Sequence, residues 1–258
     1  MTEGVDLTMT HQVDITKHLQ SHRSIRKFKQ QPIPADVKED ILSSAQMAST
    51  SSHVQAYSII GVTDQEKKRQ IAEWAGQQSY VEQCGHFLVF CADLNRLEHV
   101  LSKQGVETDS FNHTEPFLVA SVDAALAAQN AAIAAEAHGL GTVYIGGIRN
   151  EIQKVSDLLN LPDLVYPVFG MCMGYPDQDP AQKPRLPQEA IYFENEYPTY
   201  EHIESHVEEF DNVMKHYYEE RTQGKRTDTW SDMMVKTLGE PRRTHMKSFL
   251  QSKGFMLK

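Results

Sequence analysis

The sequence predicts an α+β fold, and three observations carry the prediction. Apolar runs of strand length occur at 57–62, 86–92, 142–145 and 167–173. Helical patterns lie among them, but without the strict strand–helix–strand alternation that a doubly wound parallel sheet requires. The third observation is Val119–His138, a segment so rich in alanine that it is apolar nearly all round. A helix of that kind suits close packing inside a large core or at a subunit interface.

Taken in order, the chain opens with a short helix over Thr16–Gln20, which ends at the basic heptad His22-Arg-Ser-Ile-Arg-Lys-Phe28. After Pro32 and Pro34, a helix over Ala35–Met47 puts Val37, Ile41, Leu42 and Ala45 on one face. Four hydroxyls in a row, Ser49-Thr-Ser-Ser52, mark a loop. Tyr57–Val62 reads as a strand, Asp64 starts a polar helix running to Ala75, and Gly76-Gln-Gln78 makes a turn. His86–Ala92 is continuously apolar and reads as a buried strand.

Arg96–Asn112 lacks a firm pattern and reads as a mobile surface excursion. The alanine-rich helix follows and stops at Gly139-Leu-Gly141, a C-cap signal. Thr142–Ile145 is a short strand, Gly146-Gly147 follows, and Glu151–Leu159 is helical. Pro167–Met173 is a further buried strand, and Asp177–Pro187 is a loop rich in proline and charge. Tyr200–Glu220 is a long acidic helix, followed by Arg221-Thr-Gln-Gly-Lys-Arg226 and a closing helical region. No repeat, linker or low-complexity tract divides the chain, so residues 13–258 are expected to form one domain and 1–12 an extension.

Composition narrows the function. With 25 Lys+Arg against 35 Asp+Glu the formal charge is −10, which opposes binding to a polyphosphate backbone. Met1–Gln20 has no apolar core of the signal-peptide kind. Asp123, Gln129, Asn130 and Glu136 would be costly in hydrocarbon, so the alanine-rich helix is expected not to span a membrane. Cys84, Cys91 and Cys172 form no CxxC pair and no even-numbered disulfide framework. A cytoplasmic protein with reduced thiols is expected.

Several chemistries can be set aside on spacing. His202-Ile-Glu-Ser-His206 has two histidines one turn apart, but the glutamate is misplaced for HExxH and no third ligand is in view, so no metal site is expected. Gly139, Gly141, Gly146 and Gly147 do not space as GxGxxG, and they follow a helix instead of a strand. Neither a Walker A nor a GxSxG motif occurs. What remains is a set of basic and hydroxyl-rich loops. Arg23, Ser24 and Arg26 converge on one anion if their segment bends, and arginine's planar fork suits phosphate. Lys183-Pro-Arg185 supplies two more cations on a stiff loop, and Gly146-Gly147 lets a flat ligand approach the backbone. Together these suggest a phosphorylated cofactor.

Five of these motifs occur in a fixed order: His22-Arg-Ser-Ile-Arg26, Ser49-Thr-Ser-Ser52, Gly76-Gln-Gln78, Val143-Tyr-Ile-Gly-Gly-Ile-Arg149 and Lys183-Pro-Arg-Leu-Pro187. In this the chain resembles the nitroreductase superfamily, in its NADPH-linked, oxygen-insensitive nitroreductase/flavin reductase branch of the Bacillus type. The resemblance spans about residue 12 to the C-terminus. It implies a mixed central sheet flanked by helices, an intertwined homodimer with a C-terminal helical excursion, and FMN at the subunit interface.

Carried over by position, the resemblance places His22, Arg23, Ser24 and Arg26 on the FMN phosphate and ribityl chain, with Lys183 and Arg185 completing the anion site. Ser52 and Gln55 would come from the partner subunit, Gln78 would meet the ring edge, and Tyr144, Ile145, Gly146 and Gly147 would lie along the flavin. Lys183 or Arg185 could supply the cation expected near the flavin N1. Arg221 and Arg226 match positions that bind the 2′-phosphate of NADPH, with NADH a possible second donor. The implied activity is ping-pong hydride transfer from NADPH through FMN to nitroaromatics, quinones or free flavin. The resemblance implies no protein nucleophile or base, because the cofactor carries the chemistry. The alternative is an FMN carrier with little turnover of its own.

Overall fold

A computed structural model describes residues 14–258. The expected 1–12 extension lies outside the described residues. The chain runs α1 (Ile15–Gln20), α2 (Ala35–Gln46), β1 (Tyr57–Val62), α3 (Gln65–Trp74), α4 (Tyr80–Gln83), β2 (His86–Asp93), α5 (Asn95–Lys103), α6 (Thr114–Ala137) and β3 (Gly141–Ile145). It continues with α7 (Ile152–Leu158), β4 (Val165–Gly174), α8 (Tyr200–Thr222), α9 (Trp230–Leu238) and α10 (Met246–Ser252). Strands and helices do not alternate strictly, and the architecture is α+β.

The strands form one sheet in the order β1-β2-β4-β3, and every pairing between them is antiparallel. The parallel component of the expected mixed sheet is confined, among the described residues, to an isolated bridge between Ser24 and Thr142. Strand β2 is buried on both faces, which is why its sequence is continuously apolar. Phe87, Val89 and Cys91 point into the core on the α3 side, while Leu88 and Phe90 pack with Ile41 of α2 and the alanines of α6. Pro167 sits inside the central strand β4, where it cannot donate a ladder hydrogen bond. The β2–β4 register shifts between Phe90 and Cys91, opposite Phe169 and Pro167, and β3 reaches only as far as Gly170. The proline therefore lies beside a bulge, where β4 has a neighbour on one side only.

Helix α6 starts at Thr114, earlier than its alanine-rich stretch indicates, with Pro116 tolerated in the first turn. Its buried positions are Asp123 and seven alanines, small enough to let the helix lie close to α2 and the sheet. Its outer face carries Leu118, Val122 and Leu126, one turn apart and 49%, 53% and 42% exposed. The segment 96–112, expected to be an irregular excursion, contains α5 and a short 3-10 turn over Ser110–Asn112. Leu97, Val100 and Leu101 do recur at helical spacing, so the segment carries the amphipathic pattern that its irregular reading passed over. Leu97 packs against the core, and Arg96 anchors the helix to the carbonyls of Gln55 and Tyr57. At the C-terminal end, Phe249, Leu250 and Phe255 pack with Ile152, Leu164 and Tyr166, and Leu164 N–H donates to the Lys253 carbonyl at 2.7 Å.

Candidate functional site

The basic heptad lies outside β3 as a short extended segment. Ile25 N–H donates to the Thr142 carbonyl at 2.8 Å, and Phe28 bridges to Pro176. This approach needs Gly141, because a Cβ there would lie 2.6 Å from Ile25 Cβ. Ile25 and Phe28 are buried, so the intervening cations face outward. His22 Nδ1 is 2.7 Å from Glu136 Oε1 in the last turn of α6, and Thr142 Oγ1 donates to the same oxygen at 2.9 Å. Arg23 pairs with Asp179. Arg26 reaches Tyr80, whose phenol is pushed up by burial and partly drawn back by this guanidinium.

The proline- and charge-rich loop docks against this segment at three points. Asp177 N–H donates to the Lys27 carbonyl at 2.9 Å, Asp179 takes Arg23, and the Gln182 side chain donates to the Gln20 carbonyl. The structure thus carries Lys183 and Arg185 to the same edge of the molecule as the heptad. Arg185 Nη1 donates to the Lys183 carbonyl at 2.7 Å, while Lys183 Nζ stands 6.0 Å from the centre of the Tyr218 ring.

The far end of β3 carries a second group of expected site residues. Tyr144 packs its ring edge-on to Phe169 at 5.1 Å, and burial raises its phenol. After the buried Ile145, Gly146 and Gly147 begin a 3-10 turn that ends at Arg149. A Cβ on Gly147 would overlap the Ala75 carbonyl oxygen and come within 3.0 Å of Gln78 Nε2. Gln78 is therefore packed directly against the Gly147 backbone. Arg149, which the sequence reading did not single out as a site residue, donates to the Val168 carbonyl and holds this turn on β4. Burial lowers its pKa first, and Arg243 adds to the effect.

Ser52 and Gln55 lie elsewhere. Ser52, His53 and Gln55 have φ of 48°, 59° and 53°, a left-handed conformation that is uncommon for such residues. A single buried carboxylate holds them. Asp123 Oδ1 accepts from Ser51 N–H at 3.1 Å, and Oδ2 accepts from Ala56 N–H at 3.0 Å. The sequence signal for this was present: Asp123 is an acid in the midst of alanines. The loop enters β1, whereas Ser24 lies outside β3. Four inter-strand spacings, about 19 Å, separate those two positions. One chain therefore does not bring Ser52 and Gln55 to the heptad.

At the C-terminal end of α8, Arg221 Nη1 donates to Tyr217 Oη at 2.8 Å. Arg226 stacks 4.1 Å above the Tyr218 ring and donates to Asp228 Oδ2 at 2.9 Å. Lys236 and Arg226 together hold the Asp228 carboxyl down at about 2. Tyr218 is shared by Arg226 and Lys183, so the end of α8 adjoins the cations of the 177–187 loop.

The arrangement is thus a cation-rich edge along β3 and its glycine turn, with further cations close by. Residues 19–175 match the Nitroreductase family, and residues 183–258 match the Nitroreductase family C-terminal domain. A protein of Bacillus subtilis (strain 168) described as FMN reductase (NADPH) is 48% identical over 237 residues, covering 91% of this chain and 95% of that protein. The structure of NfrA1 nitroreductase from B. subtilis matches with a TM-score of 0.92 at 46% identity, over 95% of this chain and 100% of that one. The NADPH:FMN oxidoreductase from Vibrio harveyi, complexed with NAD+, matches with a TM-score of 0.84 at 39% identity, over 95% and 99%.

Proposed function

This chain belongs to the nitroreductase family and is an NADPH-dependent, FMN-linked oxidoreductase, and we propose that it works as a homodimer whose two subunits share each FMN site. The separation of the Ser52–Gln55 loop from the heptad carries this reading. A site needing both sets of residues is completed by a second copy. Leu118, Val122 and Leu126 on the outer face of α6 offer an apolar surface for that copy, beside the Asp123 that shapes the loop.

The residues present suit FMN on chemical grounds. Arg23, Ser24 and Arg26, joined by Lys183 and Arg185, hold the phosphate through charge-assisted contacts, with His22 oriented alongside by Glu136. Gly146 and Gly147 form the tight turn after β3 that packs against Ala75 and Gln78, with Tyr144 and Ile145 along the same strand beside the ring. The Gln78 amide, fixed against Gly147, is placed to hydrogen-bond a ring edge. When bound, FMN supplies two-electron transfer from a nicotinamide donor to an acceptor. The chain's part is to retain the phosphate and to stabilise negative charge on the reduced ring with the Lys183 or Arg185 cation. Arg221 and Arg226 hold the 2′-phosphate of NADPH.

Nitroaromatics, quinones and free flavin are the acceptors this reading admits. Relatives named as reductases count against an FMN carrier without turnover. Residues 13–258 are read as one domain because α10 packs back onto α7 and β4. A cytoplasmic location follows from dependence on NADPH, and the three cysteines are free and buried. Complementation tests the shared site. Arg26→Ala and Ser52→Tyr homodimers should each be impaired in NADPH oxidation with nitrofurazone. Their mixture, after subunit exchange, should regain activity, because one site in each mixed dimer is intact. No recovery in a mixture shown to contain mixed dimers would overturn the shared site. Protein that stays colourless after FMN is added would overturn the cofactor assignment.

A further inference from the structure

We propose that a cavity of about 370 Å³, where α2, α3 and the start of β2 meet, is a second anion site that takes a phosphate group. Its wall carries Lys29, Lys38, Lys68 and His86, with glutamine side chains between them, and no lining residue is acidic. In a chain of net charge −10, three lysines gathered without a carboxylate call for an explanation. None of the three forms an ion pair among the described residues.

Lys68 carries the argument. It is 5% exposed, and its ammonium donates to the Cys84 carbonyl at 2.8 Å. An ammonium has three donors, and a buried charge is costly unless it is paired. One neutral carbonyl satisfies one N–H and compensates none of the charge. His86, which lines the same cavity, reports the same field. Its pKa is pushed down to about 4, first by burial and then by Lys38 and Lys68, so the cavity already disfavours one more cation. On one side the Gln30 amide donates to the Gln83 carbonyl at 3.4 Å and joins the two stretches of wall.

The site adjoins the heptad at Lys29 but extends away from the cations assigned to FMN, across the sheet. Val62, on its rim, is linked through Phe87 and Cys172 to Val143, three inter-strand spacings or about 14 Å away. Ser24 lies one strand further out, while the end of the heptad runs directly into the cavity wall at Lys29. The volume exceeds what a halide needs and suits a phosphate dianion, either free or at the end of a small phosphomonoester. Three cations around it match a doubly charged oxyanion, with neutral His86 and the glutamines as further hydrogen-bonding partners.

The test is calorimetric titration of the FMN-saturated protein with inorganic phosphate at fixed ionic strength, with sn-glycerol 3-phosphate as a second probe. Saturable binding of one phosphate per chain is expected. The double variant Lys29→Gln/Lys38→Gln should weaken it at least tenfold while FMN content stays unchanged. Both lysines are away from the core, so this variant keeps the test valid even if Lys68→Met fails to fold. Tighter binding of glycerol phosphate would assign the site to a phosphomonoester, and tighter inorganic phosphate to the free anion. Absence of saturable binding, unchanged affinity in the double variant, or phosphate binding that releases FMN would each overturn the proposal.

Discussion

Two segments of this molecule, the heptad outside β3 and the loop before β1, are built on opposite principles. The heptad is ordinary extended backbone carrying unusual charge: it needs only Gly141 to let it approach, and its cations project from a strand-like track. The 50–56 loop carries ordinary polar side chains on unusual backbone, with three left-handed residues held by one buried carboxylate. Strain of that kind persists only where the surroundings over-determine it. One segment is therefore specified by what its side chains are, the other by how its main chain is forced to run.

The sharpest way to break the comparison is to remove the clamp. Asp123 is fully buried and accepts two backbone N–H bonds. Asp123→Ala leaves both donors without a partner, and loss of charge-assisted bonds of this kind costs about 3–5 kcal/mol in total. For a chain of this length that corresponds to a melting temperature lower by roughly 6–20 °C. Asp123→Asn keeps one acceptor oxygen and should lose about half as much. Thermal unfolding of the two variants checks the order, and an alanine variant as stable as the parent would show that the loop holds its own conformation.

A smaller effect is expected where backbone meets backbone at Gly147, beside the proposed flavin edge. Gly147→Ala places a methyl against the Ala75 carbonyl, which cannot swing away as a flexible side chain would. Forcing that contact should cost about 1–3 kcal/mol. It should also displace Gln78, so FMN retention should fall along with stability. The neighbouring Gly146→Ala meets only the end of the Arg149 side chain at 3.2 Å and should be milder. Equal losses at the two glycines would remove the distinction.

The comparison also explains what could be read in advance. Apolar runs, the alanine-rich helix and the basic loops are legible because hydrophobicity and charge belong to the residues themselves. The order of the strands is not, since antiparallel pairing of β2 with β4 joins segments about 80 residues apart. Helix α5 was legible in the spacing of Leu97, Val100 and Leu101, but its place in the fold was not, because Arg96 positions it through bonds that no spacing reveals. The left-handed residues Ser52, His53 and Gln55 include no glycine or asparagine to announce them. Asp123 was visible as a cost in hydrocarbon, but not as the clamp on a loop 67 to 72 residues away.

Charge at the heptad should matter less for folding and more for ligand retention. Arg26→Ala removes an exposed guanidinium next to Tyr80, so stability should change little. FMN affinity should drop about tenfold or more, the size of one lost charge-assisted contact. Dialysis followed by flavin fluorescence measures this directly. Unchanged retention together with lowered stability would reverse the division of labour between the two segments.

The smallest effect belongs to the end of α8. Arg226 already stacks on Tyr218 and pairs with Asp228, which Lys236 also engages. A 2′-phosphate must compete with that carboxylate for the guanidinium, so the gain from binding is the difference between two exposed ion pairs, and such differences are small. Arg226→Ala should raise KM for NADPH severalfold while leaving KM for NADH and kcat nearly unchanged. Asp228→Asn should act in the opposite direction by freeing the guanidinium, and high salt should narrow both effects. Equal changes for NADPH and NADH in Arg226→Ala would take the 2′-phosphate away from this residue. Arg221, held by Tyr217 on the adjacent ring, would then be the remaining candidate.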